Sequence, residues 1–286
     1  MPQQPAMVDS LDALAQPYSV ILCDVWGVLH NGVVTFPPAA EALVRARQAG
    51  KAVVLVTNSP RPSKFVKEQL RQIGVPDEAW DEVVTSGDVT RDLIRNGPRR
   101  VFHLGPDRDL PIYDGLDVEL VEEFEAAGVV CTGLFDDETE TPEDYAEMLQ
   151  RMRARDLPFI CANPDIVVER GDRLIFCAGA LARDYGQLGG RTLIAGKPHR
   201  HIYEAALAAA ARKLGREVAP HETLAIGDGM LTDVKGAAGM GVDVLFVTDG
   251  IHVSEYKQDG ALHQARLAAF LEKHGHQPVA AIERLR

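Results

Sequence analysis

The chain has 286 residues, 46% of them apolar and 25% charged, with a formal net charge of −12. That length fits one large or two modest domains, and the apolar share is enough to bury a core without a disulfide or metal staple. The negative field disfavours a polyanionic partner such as DNA or RNA, and no apolar run approaches the roughly 20 residues that a membrane helix needs. The four cysteines, Cys23, Cys131, Cys161 and Cys177, form no CxxC pair and sit in apolar stretches. They read as small buried hydrophobes in a reducing compartment. The first seventeen residues are polar and lack a basic-then-apolar signal layout, so the expected location is the cytoplasm.

In chain order, Ser19–Asp24 predicts a fully buried strand, Pro38–Ala49 a helix closed by Gly50, and Lys51–Thr57 a second buried strand. Pro62–Ile73 predicts an amphipathic helix and Glu82–Thr85 a shorter strand. The stretch from about Val89 to Gly190 has its own strands at Arg100–Leu104, Val129–Gly133 and Pro158–Ala162. It also has a helix marked by Thr141 as N-cap, Pro142 at its first turn, and Glu143 and Asp144 at its positive end. Beyond it come a strand at Arg191–Ala195, a helix at His199–Leu214, a strand at Thr223–Ile226, a short helix at Thr232–Ala238 and a strand at Val244–Val247. Strands alternating with helices imply parallel pairing through crossover helices, hence an α/β doubly wound sheet. The expected organisation is a core built from residues 1–88 and 191–286, with a second α/β domain inserted at 89–190.

Ligands of an open parallel sheet bind outside the carboxyl ends of its strands. Four polar signals are expected at that edge: Asp24 in ILCDVWGVLHNG, Thr57 in VLVTNSP, Lys197 in AGKPHR, and Asp228 with Asp233 in IGDGMLTD. Taken singly, each is an ordinary turn or helix cap. Together they supply acids at two strand ends, a hydroxyl and an ammonium, which is a nucleophile, a phosphate cradle, a cation and a metal ligand. The clusters Asp107–Asp109 and Asp136–Glu140 read as solvated loops of the inserted domain.

In their order, Asp24, Thr57, Lys197 and Asp228/Asp233 resemble the four sequence motifs of the haloacid dehalogenase superfamily. The inserted domain resembles the large α/β cap (type C2) of its subclass IIA, and CANPD at Cys161–Asp165 is similar to that cap's Asn-Pro-Asp loop. The resemblance implies a Rossmann-like core and Mg²⁺-dependent hydrolysis of a small phosphate monoester, such as a sugar phosphate or a nucleotide. It makes Asp24 the nucleophile that forms an aspartyl-phosphate. Asp24, Asp228, Asp233 and the backbone carbonyl of Trp26 become the Mg²⁺ ligands. Lys197 and Thr57 become catalytic, and Thr57, Asn58, Asn163 and Asp165 contact substrate. The implied partner is a small phosphorylated metabolite, and a homodimer is compatible with the family.

One position departs from the pattern. The family's phosphatases usually carry an acid–base Asp two residues after the nucleophile, and here that position is Trp26. Indole donates a hydrogen bond but does not titrate usefully, so proton transfer worth roughly 10²–10⁴-fold is in question. His30 is the nearest titratable substitute in sequence. Three readings follow: a phosphatase, a protein that binds a phosphorylated ligand with little turnover, and a carbon–halogen hydrolase, which the intact Asp228/Asp233 pair disfavours.

Overall fold

The computed structural model describes residues 5–286, which form two compact units. One comprises the residues up to Val56, Glu68–Val83 and Tyr203–Arg286; the other comprises Thr57–Lys67 and Val84–Ile202.

The first unit is organised by a seven-stranded sheet. Its strands are β1 (Ala6–Met7), β2 (Val20–Cys23), β3 (Ala52–Thr57), β4 (Glu82–Thr85), β12 (Thr223–Gly227), β13 (Asp243–Val247) and β16 (Ala280–Ile282), in the order β1-β16-β13-β12-β2-β3-β4. The pairings from β1 through β16, β13, β12 and β2 to β3 are all parallel. Every residue of β2, β3 and β12 is buried, as expected of strands covered on both faces. The predicted helices appear at Pro37–Gln48 and Arg200–Leu214, each within a residue of its expected start. β1 and β16 escaped the sequence reading, because two and three residues are too few to carry an alternation.

The second unit holds a five-stranded sheet. It contains β5 (Arg100–Leu104), β6 (Glu119–Leu120), β7 (Gly128–Cys131), β8 (Phe159–Cys161) and β11 (Thr192–Ile194), in the order β11-β8-β7-β5-β6 and parallel throughout. Successive side chains alternate between its faces. Val129, Cys131, Phe159 and Cys161 pack with Leu149 and Met152 of the helix Ala146–Ala154 and Tyr185 of the helix Ala178–Gln187. Val130 and Ile160 pack instead with Ile94 of the helix Ser86–Arg95 and with Ile112 and Tyr113. Two antiparallel hairpins, β9 (Val167–Arg170) with β10 (Arg173–Phe176) and β14 (Lys257–Gln258) with β15 (Ala261–Leu262), complete the strands.

Two expectations are corrected. The strand before Lys197, β11, pairs with β8 of the five-stranded sheet and not with the seven-stranded one. Its three residues are only half-buried, the mark of an edge strand, and sequence pattern alone does not say which sheet an edge joins. Asp109 is not solvated but 3% exposed, in a turn of Asp107–Tyr113 that packs beneath the sheet's second face. All four cysteines are free and buried, as the sequence implied.

Candidate active site

In the first unit, Asp24 follows β2 and Asp228 follows β12. The register Cys23↔Ile226 sets those strand ends side by side, and the Asp24 N–H donates to the Ile226 carbonyl at 2.8 Å. Asp233 returns from a π-helical turn, Met230–Val234, and the short helix expected at Thr232–Ala238 begins as that turn and continues as an α-helix from Lys235. Asp24, Asp228 and Asp233 each present a carboxylate oxygen, all within 4.8 Å of one another. They are 7%, 6% and 5% exposed. Ionised together, each pair would repel by at least about 3 kcal/mol at an effective dielectric constant of 20. Buried like charges of this kind call for a cation, and an all-oxygen donor set suits a hard one such as Mg²⁺.

Backbone glycines make room for these carboxylates. Gly27 has φ +81°, and a Cβ there would meet the Asp228 Oδ2 at 2.2 Å. On the other side, a Cβ on Gly250 would meet the same oxygen at 2.2 Å, and the Ile251 N–H donates to it at 2.9 Å. The Gly229 N–H donates to Asp233 Oδ2 at 3.1 Å, and a Cβ on Gly227 would lie 2.2 Å from the Asp233 Cγ. Gly250 and Ile251 were missed in the sequence. The signal available was a Thr-Asp-Gly turn at the carboxyl end of β13, the same kind of position that drew attention to Asp228.

Trp26 and His30 lie in the loop after β2. The Gly27 N–H donates to the His30 carbonyl at 2.8 Å, and the two rings pack edge to face at 4.9 Å. His30 is 2% exposed, and its Nδ1 accepts the Gly32 N–H at 2.9 Å, which leaves its proton on Nε2. Burial lowers its pKa to about 4. His30 is therefore a neutral imidazole near pH 7, with no ready proton to give to a leaving group.

The remaining predicted residues belong to the second unit, which begins at Thr57, the last residue of β3, and Asn58, Asn163, Asp165 and Lys197 meet there. Thr57 ends β3 with its Oγ1 accepting the Ser59 N–H at 3.2 Å. The Asn58 Oδ1 accepts the Lys197 N–H at 2.7 Å, while its Nδ2 donates to the Lys197 carbonyl at 3.3 Å and to Asp165 Oδ1 at 2.8 Å. The Asn163 Oδ1 accepts the Asp165 N–H at 3.1 Å. Thr57, Asn58, Asn163 and Lys197 are all buried. Among the described residues, no helix is long and apolar enough to cross a membrane.

Known proteins share this arrangement of sequence and fold. The haloacid dehalogenase-like hydrolase family matches residues 21–119, and a second HAD-hydrolase-like family matches residues 194–272. Rat haloacid dehalogenase-like hydrolase domain-containing protein 2 is 30% identical over 237 residues, 80% of this chain and 84% of that protein. The ribonucleotide monophosphatase NagD of Escherichia coli K12 is 27% identical over 242 residues, 81% of this chain and 88% of NagD. The crystal structure of a haloacid dehalogenase-like hydrolase from Brucella suis 1330 superposes with a TM-score of 0.89 and 62% identity, covering 98% of this chain and 100% of that one. With its inserted α/β domain and its motif carboxylates, the chain belongs to the haloacid dehalogenase-like hydrolases, in the subclass IIA branch that contains NagD.

Proposed function

We propose that the protein is a Mg²⁺-dependent phosphatase that hydrolyses a small phosphate monoester through an aspartyl-phosphate on Asp24. The observation that carries this reading is the buried meeting of Asp24, Asp228 and Asp233. Relatives named as phosphatases, such as the ribonucleotide monophosphatase NagD, support the substrate class.

The residues divide the work. A carboxylate oxygen of Asp24 attacks phosphorus, and the ester P–O bond breaks as the new bond forms. Asp24, Asp228, Asp233 and the Trp26 carbonyl hold Mg²⁺, which when bound neutralises the charge that a carboxylate meets on approaching a phosphate dianion. Lys197 brings a second positive charge. The Thr57 hydroxyl and the Asn58 backbone N–H donate to phosphate oxygens, where negative charge develops. Water then attacks phosphorus and releases Asp24.

The leaving oxygen has no evident proton donor in the loop after β2. Trp26 does not titrate, and His30 is buried and neutral. This combination favours esters whose leaving groups depart as anions, such as aryl or acyl phosphates, over alkyl phosphates. It also favours, as second reading, a protein that binds a phosphorylated metabolite and turns it over slowly. A carbon–halogen hydrolase needs no cation and leaves the three buried acids unexplained. The four buried free cysteines fit a cytoplasmic setting. A phosphatase screen with and without Mg²⁺, run beside Asp24→Asn, tests the assignment. Mg²⁺-dependent release of phosphate, lost in the variant, supports it; release that persists in EDTA or in Asp24→Asn refutes it.

A further inference from the structure

The Asn58 carboxamide, 2% exposed, grips both polar groups of a single residue's backbone. Its oxygen takes the Lys197 N–H at 2.7 Å, and its nitrogen reaches the Lys197 carbonyl at 3.3 Å. A carboxamide has two orientations related by a flip, and only its partners decide between them. The Lys197 backbone sets the orientation here, its N–H facing the amide oxygen and its carbonyl the nitrogen, and Asp165 Oδ1, 2.8 Å from that nitrogen, accepts its other hydrogen and holds the amide in place.

Asp165 is itself anchored from both sides. Its N–H donates to the Asn163 Oδ1 at 3.1 Å, and its carbonyl accepts the Gly179 N–H at 3.1 Å. The packing leaves no slack. A Cβ on Gly179 would sit 2.2 Å from the Pro164 carbonyl oxygen and 2.4 Å from that of Asp165. A Cβ on Gly196, next to Lys197, would sit 2.7 Å from the Asn58 Oδ1, 2.5 Å from the Ser86 Oγ and 2.9 Å from the Pro164 Cδ. The loop after β8 and the loop after β11 are thus locked together through one amide.

We propose that Asp165 is a positioning residue for Lys197, acting through the Asn58 carboxamide, and not a residue that selects substrate. The inference rests on the proposed phosphatase reading, in which the Lys197 ammonium must be placed against the transferring phosphoryl group. A displacement near 1 Å of such a group costs on the order of 10²-fold in rate.

The test compares Asp165→Asn, Lys197→Ala and the double variant, with p-nitrophenyl phosphate and Mg²⁺, beside the ¹⁵N–¹H resonance of the Lys197 amide in the free protein. Asp165→Asn preserves shape but replaces the carboxylate acceptor with a carboxamide, which loosens the hold on the Asn58 nitrogen. The expected result is a kcat lowered about 10²-fold with KM little changed, and a Lys197 amide proton moved upfield as its bond to Asn58 weakens. In the Lys197→Ala background the same change should lower kcat no further, because the two act as one unit. An unmoved Lys197 amide resonance overturns the proposal, as does a change confined to KM or an additive double variant. If Lys197→Ala keeps wild-type turnover, it is the role of Lys197 that fails, and the resonance alone then decides the Asp165 coupling. Should Asp165→Asn not fold, Asp165→Ser, which also removes the charged acceptor, is read in the same two ways.

Discussion

Replacing Gly250 by Ala should disable the cation site while leaving the fold intact. Gly250 has an ordinary backbone conformation, so Ala adds no left-handed strain there. Its new methyl would lie 2.2 Å from the Asp228 Oδ2, 2.3 Å from its Cβ and 2.6 Å from its Cγ. To reach even about 3.0 Å, the carboxylate oxygen must recede by about 0.8 Å, several times the roughly 0.2 Å latitude of a metal–ligand distance. The recoil also pulls Oδ2 away from the Ile251 N–H that now holds it at 2.9 Å. Loss of an outer-shell support for a ligand costs about 10–100-fold in metal affinity, and displacement of the ligand itself sets that as a lower bound. The Mg²⁺ concentration for half-maximal hydrolysis of p-nitrophenyl phosphate should therefore rise at least 10–100-fold, with a matching loss in calorimetric Mg²⁺ binding. Adding Asp228→Ala to Gly250→Ala should cost little more than Asp228→Ala alone, because both act on one ligand. A folded Gly250→Ala protein with wild-type Mg²⁺ dependence would refute the placement of Asp228 at the cation.

Asp24→Asn, which keeps the shape of the side chain but removes the nucleophile, should bring Mg²⁺-dependent turnover to background with no loss of thermal stability. Trp26→Asp should raise kcat/KM on alkyl phosphates by up to roughly 10²-fold and leave p-nitrophenyl phosphate nearly unchanged; a series of esters of graded leaving-group pKa measures this, and equal gains on all of them would count against a missing proton donor. Asp109→Asn should stabilise the protein by an amount that grows as pH rises from 3.8 and is complete above 6. Burial raises the Asp109 pKa from 3.8 to about 6, against the opposing pull of Arg108 and Arg61. The folded chain therefore keeps a proton that the unfolded chain has released between those values. The associated stability is full below pH 3.8 and lost as pH rises through 6. The neutral amide should recover up to about 3 kcal/mol at pH 8 and almost nothing at pH 3.5, read from denaturant midpoints at the two pH values. A gain of equal size at both would show that ionisation of Asp109 is not the cause.

What was legible in the sequence followed from parallel-sheet geometry. Buried runs such as SVILCD and TLAIG announce central strands, and central parallel strands deliver their carboxyl ends to one edge. The meeting of Asp24 and Asp228 needs nothing more than that rule and the adjacency of β2 and β12, and Asp233 joins them through the turn Met230–Val234. What stayed hidden depends on approaches between segments distant in sequence. TLIAG reads as one more strand of the core, and only its pairing with Phe159–Cys161 assigns it to the other sheet. That pairing is what carries Lys197 to the Asn163–Asp165 loop, 32 residues upstream of it at Asp165 by numbering. Gly250 looks like any turn glycine until the Asp228 carboxylate is found against its Cα. Asp109 sits in a charged DRD triplet that pattern assigns to solvent, yet one of its three residues points inward because the turn packs with Ile112 and Tyr113 on the sheet. In each case the residue type was visible and the partner was not. Partners come from register, and a three-residue edge strand has too little alternation to declare its register in advance.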